Sequence, residues 1–228
     1  MIQLPLAPDV GAKALLVAAM RARVLGGPGS GNFGHSGRPG EVGGSGVGDS
    51  TAHLPEHTAS MLRVREQTLK DLSYEAAAVI TPTGEHLHFL TNYAKDYIKI
   101  DASLKDSLVD TIFTHNHPSS SGLSLDDGQV AVTMNMREMR AIGADGRVHS
   151  LRREGDKWPD GFMDAVRAAD SEVHKTFLSE IQAGHMTIRE ANMSHHDHVY
   201  RTAAAKTPGV IYVVAPSQPL VTPVAVHG

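Results

Sequence analysis

Two histidines, His115 and His117, stand one residue apart behind the apolar pair Ile112 and Phe113, and two aspartates, Asp126 and Asp127, follow a short serine-rich loop. Side chains alternate faces along a strand, so residues two apart share one. Both imidazoles can therefore be aimed at a single ion. Pro118 has no N–H, stops the strand from pairing further and turns the chain. Loop 119–123 brings it back, and Ser124 and Asp127 then open a helix, with the Asp127 carboxylate directed at the strand end. Two imidazoles and one carboxylate form a tripod of the kind that holds Zn2+ and leaves a fourth position open. An ion held in that way polarises a carbonyl and brings the pKa of water toward neutrality. A plainer reading of the same residues is a helix cap, because Ser124-x-x-Asp127 is an N-cap pattern whose acid the helix dipole favours. The chain has no cysteine, which removes disulfides, thiol nucleophiles and thiolate metal sites together.

The elements that must carry these residues follow from periodicity. Residues 54–70 predict a helix with Thr58 as a cap. Glu75 to Ile80 reads as a strand, Thr81 to Gly84 as a turn, and His86 to Thr91 as the returning strand of a hairpin. Tyr97 to Ile100 predicts another short strand, and Ser103 to Leu108 a helical turn. Val109 to Thr114 is the apolar strand expected to deliver the His-x-His, and Ser124 opens a helix to about Arg137. Glu138 to Ile142 and Arg147 to Leu151 pair across Gly143 to Gly146, where Asp145-Gly146 tolerates positive φ. Phe162, Val166, Ala169, Val173, Phe177 and Ile181 mark one face of a helix from Asp160 to about Ile181. Thr187-x-x-Glu190 is a capping box for a helix to about Ala205, and a strand covers 209–214. The sum is an α+β (mixed α/β) domain.

Three segments are expected: an N-terminal helix in 1–25, a Gly-rich flexible linker over 26–52, and a metal-binding domain with a C-terminal helical extension over 53–228. The helix, at 10–25, is rich in Ala and Leu. Eleven of the 22 glycines lie between Gly26 and Gly48, too many for the segment to offset its backbone entropy by burial. These glycines are not a P-loop, since no Gly-Lys-Ser/Thr ends them. A formal charge of -4 over 228 residues, without a dense basic group, argues against nucleic-acid partners. No stretch reaches the roughly 20 apolar residues of a membrane span, and the start carries Asp9 where a signal peptide would be basic. A location in the cytoplasm is expected, in a host cell or with a virion. A second histidine group, His195 and His198, is spaced i, i+3 and could share an ion on a helix, although such a polar run is more often a solvated face. The HExxH pattern of zinc peptidases is absent.

His115-Asn116-His117-Pro118 followed by Ser124-Leu125-Asp126-Asp127 resembles the motif of the JAB/MPN (JAMM) metalloprotease family: an upstream glutamate, His-x-His, seven residues, Ser, two residues, Asp. Here six residues separate His117 from Ser124, so the loop is one short, and Asp126 stands as the fallback to Asp127. The resemblance covers roughly residues 72–152 and implies a JAB/MPN-like sheet with flanking helices. It implies Zn2+ on His115, His117 and Asp127, and an oxyanion contact from Ser124. It also implies a general base at Glu75, about forty residues upstream, with Glu85 the second choice. The implied activity is hydrolysis of an amide or isopeptide bond in a peptide or protein substrate. The Gly-rich segment, with Asn32-Phe33-Gly34-His35 and Gly37-Arg38-Pro39-Gly40, resembles a stretch in head-morphogenesis and portal-associated proteins of tailed phages. That likeness implies a bacteriophage origin and phage structural proteins as partners. It also implies an alternative function class, a structural, accessory or toxin-like domain that uses the fold without peptidase activity.

Overall fold

In a computed structural model the described residues are 2–3 and 49–217, so the helix expected in 1–25 and nearly all of the Gly-rich segment lie outside them. A short strand β1 (Ile2–Gln3) pairs antiparallel with β4 (Lys99–Ile100). The other strands are β2 (Ala76–Ile80), β3 (His86–Thr91), β5 (Ile112–His117), β6 (Glu138–Gly143), β7 (Arg147–Arg153) and β8 (Val210–Pro216). They form one six-stranded sheet in the order β3-β2-β5-β6-β7-β8. Every neighbouring pair is antiparallel except β5 and β6, which run parallel.

That one parallel pair shapes the site. Parallel neighbours need a crossover connection, and α2 (Leu125–Thr133) lies in it. The chain leaves the C-terminal end of β5, passes through the serine loop and enters α2, so the start of a helix is held against the end of a strand. The other helices are α1 (Glu56–Lys70), α3 (Phe162–Gln182) and α4 (Ile188–Ala205), with a 3-10 helix at Ala102–Leu108.

Strand parity sorts the core into two layers. Ala77, Val79, Phe113, Met139, Ala141 and Leu151 point to one side and pack with Val130 of α2, Phe162 and Val166 of α3, and Ala203 of α4. Ala76, Ile142 and Val148 point the other way, against Leu69 of α1, while Ile80 and Ile112 meet Leu62. His115 and His117 share the parity of Phe113 and so face the larger, three-helix layer. Trp158 anchors the entry to α3: its indole donates to the Met136 carbonyl at 2.9 Å, and its ring stacks on Phe162 with 5.3 Å between centroids.

Several boundaries differ from expectation. The first helix is capped at Pro55, with Thr58 inside it, its hydroxyl donating to the Pro82 carbonyl at 2.9 Å. The His-x-His strand starts at Ile112 rather than Val109, because Asp110 adopts φ 57, a left-handed turn that sends Val109 into solvent. With that shift the two histidines belong to the strand rather than to the loop after it. Helix α2 ends at Thr133, not near Arg137, because Asn135 takes φ 48 and closes the helix in the left-handed region that Asn tolerates. The helices and strand after residue 160 pack into the domain: β8 completes the sheet beside β7, and α4 packs on the core.

Candidate metal centre

His115 and His117 emerge from β5 on the same face and are both buried, at 2% relative exposure. Their Nε2 atoms lie 2.9 Å apart. Asp127, two residues inside α2, brings Oδ1 to 3.4 Å from His115 Nε2 and Oδ2 to 3.8 Å from His117 Nε2. Among the described residues these three form the group of His, Asp and Glu side chains whose donor atoms converge closely enough for a metal ion. A small tetrahedral cation with bonds of about 2.0–2.1 Å would space its ligand atoms about 3.3–3.4 Å apart. The three edges found here bracket that spacing, so the group can hold such an ion.

Each donor is fixed by a neighbour. Ser124 and Asp127 form a capping box: Asp127 Oδ2 accepts from the Ser124 amide at 2.6 Å and its hydroxyl at 2.8 Å, and the Asp127 amide donates to Ser124 Oγ at 3.2 Å. The helix-cap reading is thus met, and it does not compete with the ligand reading, because Oδ1 stays directed at His115. His117 Nδ1 lies 3.1 Å from the Ser121 carbonyl. Donation of an Nδ1 proton there leaves Nε2 as the lone-pair nitrogen facing the cluster. Asp126, one position before Asp127 on α2, lines a cavity of about 30 Å³ beside the tripod together with Glu75, Tyr97, Ile98, Phe113 and Met139.

Glu75 arrives by register. Ala77 of β2 pairs with His115, so two residues earlier Glu75 faces His117, and its Oε1 lies 4.0 Å from His117 Nε2. It is buried at 4% exposure and stands outside the converging trio. Glu85, the second choice, sits exposed at the tip of the β2–β3 hairpin, at the opposite end of β2.

The electrostatics suit a cation. Burial disfavours an ionised Asp127, but His115, His117 and the Ser124 hydroxyl outweigh it and hold the carboxyl far below its usual range. Burial, with the neighbouring His115, pushes His117 down to about 4, so its imidazole is neutral at physiological pH. His115 goes the other way: burial opposes its charge, yet Asp127 and Glu75 raise its pKa above the ordinary value. Glu75 is pushed up to about 7, chiefly by burial, with Asp127 adding to the rise and His115 opposing it.

Sequence reasoning missed Asn116. As the middle residue of His-x-His it must face away from the tripod, and a buried amide there needs partners. The other histidine group does not form a centre. His195 is fully buried on α4, in ring contact with Phe177 at 5.8 Å, rather than on a solvated face. His198 Nδ1 instead meets the Ser194 carbonyl one turn back, at 3.0 Å. No helix among the described residues is long and apolar enough to cross a membrane. Comparison with family models, curated proteins and solved structures finds no match to the chain.

Proposed function

We propose that this chain is a Zn2+-dependent hydrolase of amide or isopeptide bonds in a peptide or protein substrate. The observation that carries the reading is the placement of Glu75: a buried carboxyl with a near-neutral pKa, 4.0 Å from a ligand histidine yet outside the ligand set. A carboxylate needed only for structure gains nothing from that position. A base that must take a proton and give it back gains both the geometry and the pKa.

His115, His117 and Asp127 would hold the zinc, with imidazole and carboxylate ligands as the lack of cysteine requires. Bound there, zinc supplies Lewis acidity toward a carbonyl and makes water nucleophilic near neutral pH. Glu75 Oε1 takes the proton that water loses as its oxygen bonds to the carbonyl carbon, then delivers it to the amine nitrogen as the C–N bond breaks. Tyr97, Ile98, Phe113 and Met139 wall the cavity and keep bulk water from the carboxyl. Ser124 steadies Asp127. Its hydroxyl proton already points to Asp127 Oδ2, so stabilising an oxyanion as well would take rotation of that hydroxyl.

The test pairs metal content with rate. Purified protein is expected to hold about one zinc per chain by elemental analysis. Glu75→Gln should keep zinc and fold while hydrolysis of a peptide or isopeptide library falls on the order of 10²- to 10⁴-fold. Protein that neither holds zinc nor takes it up would sink the reading. Zinc without hydrolysis, in wild type and variant alike, would favour an accessory domain with a structural metal.

A further inference from the structure

The β2–β5 ladder runs from Ile80↔Ile112 to Ala77↔His115 and stops there. One step further, where Ala76 would pair with Asn116, the side chain of Asn116 takes over from the backbone. Its Oδ1 accepts from the Ala76 amide at 2.8 Å. Its Nδ2 donates to the carbonyls of Tyr74 at 3.0 Å and Leu72 at 3.3 Å. Asn116 is 1% exposed, and its bond to the Ala76 amide is buried while the two to the Tyr74 and Leu72 carbonyls are part-buried, so the loss of a partner is costliest at Ala76. All three go to one five-residue segment, and two of them grip the peptide units on either side of Glu75.

We propose that Asn116 is a positioning residue: its amide extends the sheet past the end of the ladder and fixes the distance between the Glu75 carboxyl and the His115–His117–Asp127 tripod. The role rests on Glu75 acting as the base of the proposed hydrolase. The residue between the two ligands thus works on the opposite face of the strand from them. His115 and His117 set where an ion sits, and Asn116 sets where the base stands relative to it. Without the amide, Glu75 keeps only its amide bond to the Ala94 carbonyl and the Thr91 hydroxyl on its own carbonyl, both from the β3 side. The nearest remaining tie to the strand that carries the ligands is then the Ala77↔His115 pair, two residues along β2.

The test uses the full chain with Asn116→Ala and, because that change takes the side-chain acceptor from the buried Ala76 amide, also Asn116→Asp, which keeps the acceptor for the Ala76 amide. Three quantities are read: zinc per chain, kcat and KM separately, and hydrogen exchange at the Ala76 amide in metal-free protein. Both variants are expected to hold zinc as wild type does and to keep KM within about twofold. Displacement of a reacting group by about 1 Å costs on the order of 100-fold, so kcat should fall about 10- to 100-fold in Asn116→Ala and less in Asn116→Asp. The Ala76 amide should exchange at least about tenfold faster in Asn116→Ala. Unchanged kcat with full zinc overturns the proposal, as does loss of zinc in step with activity, which would place Asn116 in support of the ligands. If wild type shows no hydrolysis, the functional reading fails by itself. The exchange measurement still decides whether Asn116 holds the Glu75 segment, and unaltered protection of Ala76 would overturn that.

Discussion

At the scale of single residues, the proposed hydrolase needs three groups that bind a cation and one that does not. Asp127 is the clearest ligand, because its Oδ2 is occupied by Ser124 while Oδ1 remains directed at His115. Asp127→Asn keeps the shape but removes the charge and points an amide N–H₂ either at the Ser124 donors or at the ion. Its zinc affinity, measured by competition with a chromophoric chelator, should fall at least about 100-fold. Glu75→Gln should leave affinity within a few-fold. Equal affinity losses in the two variants would place Glu75 among the ligands. The convergence of His115, His117 and Asp127 was legible in the sequence because its geometry is local: spacing of two on a strand and a helix start one loop later. Glu75 entered only through the family resemblance, since it lies about forty residues upstream. Asn116 was not legible. Its partners, Leu72, Tyr74 and Ala76, lie 40 to 44 residues away, and a polar residue between two histidines carries no sign of which backbone it will meet. His195 misled for the complementary reason, since a run of polar residues says nothing of the aromatic neighbour that buries it.

Among the elements, the start of α2 is held from three sides. The capping box closes it locally, the parallel crossover presses it on the end of β5, and the hydroxyl of Tyr200 in α4 donates to the Ser124 carbonyl at 2.5 Å. Tyr200 is fully buried. The C-terminal helices thereby reach the metal centre, which no motif spacing reveals because the contact spans 76 residues. Tyr200→Phe removes one buried hydrogen bond without opening a cavity, and such a bond contributes about 1 kcal/mol net. The variant should unfold at slightly lower denaturant and bind zinc several-fold more weakly, as Ser124 and Asp127 loosen together. Stability loss with unchanged affinity would mean that the capping box alone aligns Asp127. The loop before α2 is constrained too. An added Cβ on Gly122 would stand 2.9 Å from His149 Nδ1, so Gly122→Ala should shift loop 119–123 and lower zinc affinity in the same titration. The hairpin β6–β7 was legible from Asp145-Gly146, and Gly146 does take φ 79. The ends of β5 and α2 were less so, because Asp110 and Asn135 adopt left-handed conformations that single residues of those types allow but do not announce.

Across the whole molecule, the face of the sheet opposite the metal centre is organised by charge. Arg140 is fully buried between α1 and β6, its Nε donating to Glu66 at 2.6 Å and its Nη1 to Glu138 at 2.5 Å. Glu138 also accepts from Ser150 at 2.6 Å and meets His53 at 2.8 Å, while Arg140 reaches the Ser50 carbonyl at 3.1 Å. The network therefore ties the first described residues of the domain, α1, β6 and β7 into one body. Breaking a buried pair from one side leaves an uncompensated charge and costs on the order of 3–5 kcal/mol. Burial alone would raise the Glu138 pKa, but Arg140, His53 and Ser150 outweigh it and hold the carboxyl down to about 2. A carboxyl with a depressed folded pKa stabilises the native state above its unfolded pKa of about 4.3, and that stability is lost as pH falls from there through about 2. The histidines and carboxyls of the candidate centre also gain protons in acid, so the informative quantity is the difference between wild type and Glu138→Gln. Denaturant unfolding at pH 7 should show the variant less stable by on the order of 3 kcal/mol or more. At pH 3 the gap should narrow, because wild type loses the contribution of Glu138 with acid and the glutamine has no proton to take up. A gap that stays constant between pH 7 and pH 3 would show that Glu138 has no depressed pKa in the folded chain, and that Arg140 is balanced by Glu66 alone.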